Sequence, residues 1–199
     1  MTMSRIIAIT GGIGSGKSVV SRILSTMGHH VYDCDARAKV LMDNDVDIKS
    51  QVYGEILKDS SVPEGPIDRK RLAGVVFADK AMLELLNGIV HDAVKADIRA
   101  WAEMQNEDVC WVESAIIYES GIDRMVDEVW EVCAPLELRI ERVMKRNGMS
   151  RSEVEARIES QRRPSDMVLH SRTRMLVNDG VIPLLPQVTG LLSELNLNN

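Results

Sequence analysis

The sequence has no excess of positive charge, no paired cysteines and no long apolar run. Its 24 Lys and Arg are outnumbered by 30 Asp and Glu, giving a formal net charge of −6. Nucleic-acid binders more often carry a basic excess, so that partner class is disfavoured. Cys34, Cys110 and Cys133 are an odd number, widely scattered and without a CxxC pair. That usage suits a reducing cytosol better than a disulfide scaffold. The histidines, His29, His30, His91 and His170, have no zinc-like spacing with these cysteines. The first apolar run, Ile6 to Ile9, is too short for a signal-peptide core or a membrane span. There is no internal repeat, no low-complexity tract and no linker long enough to separate independent domains. The expectation is a cytoplasmic monomer with neither nucleic acid nor membrane as partner. What is present is ordinary for a soluble protein: 199 residues, 45% hydrophobic and 27% charged. That is enough chain for one core plus insertions.

Ile6 to Ile9 reads as a fully buried strand. From Lys17 to Met27, Val19, Val20, Ile23, Leu24 and Met27 recur at helical spacing, with Gly28 as a C-terminal stop. His30 to Asp33 reads as a second strand. Strand, helix and strand in this order predict a βαβ unit with parallel strands. Further strands are expected at Val109–Ser114, Glu128–Ala134 and Arg174–Asn178. The stretch from Asp35 to Met104 reads as mainly helical, broken by the turn-rich Asp59–Pro66. A second helical block runs from Leu136 to about Arg163, interrupted at Asn147–Gly148. The three tryptophans, Trp101, Trp111 and Trp130, read as packing residues.

Gly11 to Ser18, "GGIGSGKS", fits G-x-x-x-x-G-K-[ST] through Gly11, Gly16, Lys17 and Ser18. It follows a predicted strand and opens a predicted helix, the context this phosphate-binding motif needs. Glycines let backbone N–H groups approach phosphate oxygens, and the helix N-terminus adds positive potential. Lys17 is placed to neutralise the β- and γ-phosphates, and Ser18 to put its hydroxyl on Mg²⁺. The ATP-binding set read here is Gly11, Gly12, Ile13, Gly14, Ser15, Gly16, Lys17, Ser18 and Val19.

Asp33 and Asp35 stand at the carboxyl end of the second strand. In an open parallel sheet, ligands bind beyond that edge. An acid there either orients and deprotonates an acceptor hydroxyl or holds Mg²⁺ through water. The competing reading makes Asp35 the N-cap of the next helix. Cys34 between them points to the other face. Further on, Arg139, Arg142 and Arg146 fall in one stripe at about 100° per residue. Like charges at this spacing disfavour a helix, so an anion facing the stripe would help. The alternative is a solvated face with surface ion pairs. Arg162 and Arg163 read as surface. Glu113 ends a buried strand, where a carboxylate suits either the water shell of Mg²⁺ or a satisfied buried acid.

These residues in this order resemble the dephospho-CoA kinase family. Such enzymes are similar in having the GGIGSGKS loop and an Asp-x-Asp after the second strand. They also share an Asp-Arg-x-x-Leu element like Asp68–Leu72, followed by a Phe matching Phe77. Leu86–Val94, Val112–Gly121 and Val177–Gly180 resemble further family segments. Three positions depart from the family pattern: Glu113 replaces an aspartate, Ala115 a proline, and Asp92 the proline after His91. The first keeps a carboxylate on a longer arm. The second removes a rigid residue from a strand end, and the third changes the helix expected to border the acceptor.

The resemblance implies a three-layer α/β P-loop kinase with a parallel sheet of about five strands. Its core would span 4–35, 105–135 and 170–199, with a helical acceptor-binding insertion at 36–104 and a lid at 136–165. It implies ATP and dephospho-CoA as substrates, with Mg²⁺. Asp35 would accept the proton of the ribose 3′-hydroxyl, with Asp33 supporting it. Asp68, Arg69 and His91 would join Asp33 and Asp35 in binding the acceptor; read from the residues alone, Asp68 and Arg69 are equally a helix-start pair with Asp68 as cap, and His91 is a structural residue of its helix. Asn178 would lie near adenine. Lys17 and the lid residues Arg142 and Arg146 would neutralise the phosphates, and Glu113 would reach Mg²⁺ through water. A second kinase reading transfers phosphate to a shikimate- or nucleoside-like alcohol. A GTP-binding switch is disfavoured, because the chain has neither Asn-Lys-x-Asp nor Asp-x-x-Gly.

Overall fold

The computed structural model describes residues 4–164 and 166–195. The chain divides into two compact units: one is Asp33–Met104, and the other is made by the described residues on either side of it. Among the described residues no helix is long and apolar enough to cross a membrane.

The larger unit is built on a parallel five-stranded sheet with helices on both sides. Its strands are β1 (Arg5–Thr10), β2 (Val31–Asp33), β3 (Val109–Glu113), β4 (Glu128–Cys133) and β5 (Thr173–Val177), in the spatial order β2-β3-β1-β4-β5. The strand positions and their number agree with the sequence reading. β1 is central: Ile9 is in register with Glu113 of β3 on one side and Trp130 of β4 on the other. β-branched residues and tryptophan supply the strand interiors, which suits a sheet covered on both faces. Helices α1 (Lys17–Thr26) and α8 (Leu184–Glu194) pack together, and Val20, Leu24, Val188 and Leu192 join Ile7, Ile9, Trp111, Trp130 and Leu176 in one core. Trp111 and Trp130 meet edge-on, ring centroids 4.6 Å apart, so they are packing residues as expected.

The segment expected to act as a lid forms two helices, α6 (Leu136–Asn147) and α7 (Arg151–Ser160). Gly148 ends α6 in the left-handed region at φ +66°, which accounts for the predicted break. Ser150 and Glu153 form a capping box that starts α7. Ile140, Val143 and Val154 make a small core of their own, with Ile13, Met149 and Ile158 packed against it.

The smaller unit contains α2 (Cys34–Asn44), α3 (Val46–Gln51), α4 (Arg69–Val76) and α5 (Lys80–Met104), with a π-helical turn at Val52–Ile56. Ile48, Val52, Tyr53, Ile56, Leu72 and Ile89 are among its buried residues. Arg37 of α2 forks onto Asp97 of α5 through bonds of 2.9 and 2.8 Å. The buried Lys49 ammonium donates to the Gly65 carbonyl at 3.2 Å, tying down the turn-rich stretch. α5 runs unbroken past Asp92, whose carboxylate pairs with Lys95. A proline there would remove one backbone donor from the helix interior.

Candidate active site

The phosphate loop joins β1 to α1. Its last glycine, Gly16, is the N-cap of α1 with φ +104°, and no side chain caps this helix. Side chains do cap α2, α3, α4 and α7, through Asp33, Asp45, Asp68 and Ser150, whereas α6 and α8, like α1, have no side-chain cap. α1 also has no acidic residue in its first turn. Its N-terminal potential is therefore left for an external anion. Lys17 Nζ folds back to donate to the Gly11 carbonyl at 2.7 Å. Ser15 Oγ is buried without a hydrogen-bond partner among the described residues.

Two distant segments hold the loop. The Asn178 amide donates to the Ser15 carbonyl at 2.8 Å, and Asn178 N donates to the Cys133 carbonyl at 2.8 Å. Arg142 of α6 donates to the Asn178 carbonyl at 3.0 Å and to Asn178 Oδ1 at 3.3 Å. Gly16 is needed here for space as well as for its φ, because a Cβ would collide with the Asn178 amide. Lys17, Arg142 and Asn178 are thus gathered at the loop. Arg146 is not: it is exposed and donates to Asn147 Oδ1 at 2.8 Å.

Arg139, passed over among the three stripe arginines, donates instead to the Ile13 carbonyl at 2.9 Å. Burial pushes its pKa below the ordinary arginine value. An anion at the loop would offset that cost of a desolvated charge. A cavity of about 450 Å³ opens beside the loop, lined by Gly12, Ser15, Cys133, Arg139, Gln161 and Arg163 among others. Arg163 is not a free surface residue, contrary to the sequence expectation. It pairs with Glu131 of β4 and lies over the Tyr118 ring, 4.8 Å from its centroid.

Glu113 is half-buried at the carboxyl end of β3, directly beside β1, and Ser18 is exposed in the first turn of α1. Both are hard oxygen donors of the kind Mg²⁺ takes. Among the described residues no group of three or more His, Cys, Asp or Glu could hold a metal ion. These donors fit an ion carried in on phosphate oxygens and waters.

The remaining candidates belong to the smaller unit. Asp33, not Asp35, is the N-cap of α2, accepting from Ala36 N at 3.0 Å. Asp35 sits in the first helical turn with its side chain exposed. Cys34 between them is buried. Asp68 caps α4, accepting from Arg71 N at 3.0 Å, and Arg69 pairs with Asp43 at 2.9 Å. His91 is half-buried on α5.

Comparison with known proteins decides the family. The dephospho-CoA kinase family model matches residues 5–183. The chain belongs to the dephospho-CoA kinase family. A dephospho-CoA kinase of Porphyromonas gingivalis is 41% identical over 186 residues, 94% of this chain and 92% of that protein. One from Bacteroides fragilis is 37% identical over 95% of this chain and 92% of that protein. A solved Thermus thermophilus structure superposes with a TM-score of 0.78 at 33% identity, covering 98% of this chain and 99% of that one.

Two residues at the loop were not selected from the sequence of this family member, Arg139 and Gln161. Arg139 carried a usable signal, since it shares the basic stripe with Arg142. Gln161 carried none, because its partner, Ile13, is 148 residues away.

Proposed function

We propose that this chain transfers the γ-phosphoryl group of ATP to the ribose 3′-hydroxyl of dephospho-CoA, giving ADP and CoA. The observation that carries the reading is the uncapped Gly11–Ser18 loop, held by Asn178 and Arg142, in a chain that belongs to this family. In the reaction, the 3′-oxygen forms a bond to the γ-phosphorus as the bond from that phosphorus to the β,γ-bridging oxygen breaks. The electron pair leaves on ADP. Asp35 accepts the hydroxyl proton; its carboxylate is exposed just past the carboxyl end of β2, where open parallel sheets bind ligands. Asp33, occupied as a cap, supports the turn that presents Asp35.

Lys17 leaves the Gly11 carbonyl for the β- and γ-phosphates, and the N-terminus of α1 faces the same oxygens. Arg142 and Asn178 bind the nucleotide beside the loop. Arg146, free of the loop, adds its charge when the lid closes, which also excludes water. Ser18, and Glu113 through water, would hold Mg²⁺, which would supply further charge neutralisation. Asp68, Arg69 and His91 line the acceptor side, the first two keeping their cap and ion-pair roles.

The test is ADP release from ATP and Mg²⁺ with dephospho-CoA, shikimate, nucleosides or no acceptor. Release dependent on dephospho-CoA supports the reading. Faster release with shikimate or a nucleoside would move the chain to the rival kinase reading, which family membership disfavours.

A further inference from the structure

We propose that Gln161 is a positioning residue for the phosphate loop: its carboxamide fixes the Ile13 peptide and so couples loop geometry to the lid helices. The inference rests on reading Gly11–Ser18 as a triphosphate loop, and not on the identity of the acceptor.

Ile13 is the one bulky residue in a stretch of glycine and serine, flanked by Gly12 and Gly14. Glycine neighbours give its peptide little stiffness of their own. Three separate groups of the lid supply it. The Ile13 N–H donates to Gln161 Oε1 at 2.8 Å. The Ile13 carbonyl accepts from Arg139 Nε at 2.9 Å. The side chain packs against the core of Ile140, Val143 and Val154. Gly14 allows the close approach: its φ is +77°, and a Cβ there would stand 2.6 Å from the Arg139 carbonyl.

Gln161 is itself held in place. It is the residue that ends α7, and its N–H donates to the Ile158 carbonyl at 3.2 Å. The other end of α7 is fixed by the capping box, and its middle by fully buried Val154. A carboxamide thus reaches the loop from a rigid helix end. The residue type matters. A carboxylate would accept the same bond but set a negative charge beside a triphosphate, whereas the amide accepts without charge. Arg162 and Arg163, next in the chain, have only donors and could not accept from Ile13.

The experiment compares wild type, Gln161→Ala and Gln161→Glu, reading Ile13 amide exchange and the affinity for ATP with Mg²⁺ in the absence of acceptor. Gln161→Ala should speed Ile13 exchange about tenfold and weaken ATP binding about fivefold, the scale of one half-buried hydrogen bond. Gln161→Glu should keep Ile13 protected yet still weaken ATP binding several-fold. A residue that merely stabilised the lid would lower the melting temperature and leave ATP affinity unchanged below it. Wild-type affinity in either variant, or wild-type Ile13 exchange in Gln161→Ala, overturns the proposal. If Gln161→Ala does not fold, Gln161→Glu decides alone, since it keeps the length and the acceptor. Neither readout uses dephospho-CoA, so a wrong acceptor assignment leaves both intact.

Discussion

Replacing Gly16 by alanine should damage the loop through one identifiable neighbour, Asn178, and removing that neighbour should absorb most of the damage. Asn178→Ala alone loses the bond to the Ser15 carbonyl and the contact with Arg142. The first is a neutral half-buried bond of about 1 kcal/mol, and the second is charge-assisted but long, about another 1 kcal/mol. Gly16→Ala adds a Cβ at φ +104°, where an L-residue carries about 1–2 kcal/mol of strain. It also expels the Asn178 amide and forfeits the same two contacts, for a total of about 3–4 kcal/mol. The double variant should then cost about 3–4 kcal/mol as well, not the additive 5–6 kcal/mol, a coupling of about 2 kcal/mol. In a chain of this size each kcal/mol lowers the melting temperature by about 2–4 °C. Calorimetry should therefore find Asn178→Ala down by about 4–8 °C, and the double variant close to Gly16→Ala. Strictly additive losses would refute the argument that Asn178 occupies the space a side chain at 16 would need.

Asp35→Asn should bind ATP as wild type does and lose turnover by about 10²–10⁴-fold, measured by ADP release; nearly full activity would remove Asp35 as the base. Arg146→Ala should leave the melting temperature within about 2 °C, since an exposed surface substitution shifts stability by under about 0.5 kcal/mol, yet lower turnover. Arg142→Ala should lower both stability and ATP affinity, because its side chain already holds the Asn178 carbonyl; equal effects of the two arginines on stability would contradict the geometry. The Ser61 hydroxyl and then Arg71 hold the Asp59 carboxyl well below the usual carboxylate range, and the backbone N–H groups of Ile182 and Val181 lower that of Asp179. Each folded pKa lies below its unfolded value, so the stability they contribute is present above the ordinary carboxylate range and lost as pH falls. Thermal melts in acid should show that loss, and Asp59→Asn should lessen its steepness; a wild-type melting temperature independent of pH down to about 3 would refute it.

The sheet was legible because β1 to β4 carry short β-branched or aromatic runs, and the phosphate loop because its chemistry needs contiguous residues. The α6 break was legible for the same reason, since asparagine followed by glycine is a local stop. What escaped was set by partners far along the chain. Ile13 is clasped by Arg139 and Gln161, 126 and 148 residues away, and no local pattern announces such a pair. Arg163 read as one more surface charge because Glu131, its partner, lies 32 residues back on β4. The choice between Asp33 and Asp35 as cap turned on where β2 stops, a boundary that local propensity fixes only to within a residue or two.

The central claim is tested most directly by locating the new phosphate. Product from ATP, Mg²⁺ and dephospho-CoA should be isolated and its phosphorus–carbon couplings read by NMR. The account predicts one added phosphate on the ribose 3′-oxygen, in amount equal to the ADP formed. Phosphate on any other oxygen, or ADP and inorganic phosphate with unchanged dephospho-CoA, would contradict it.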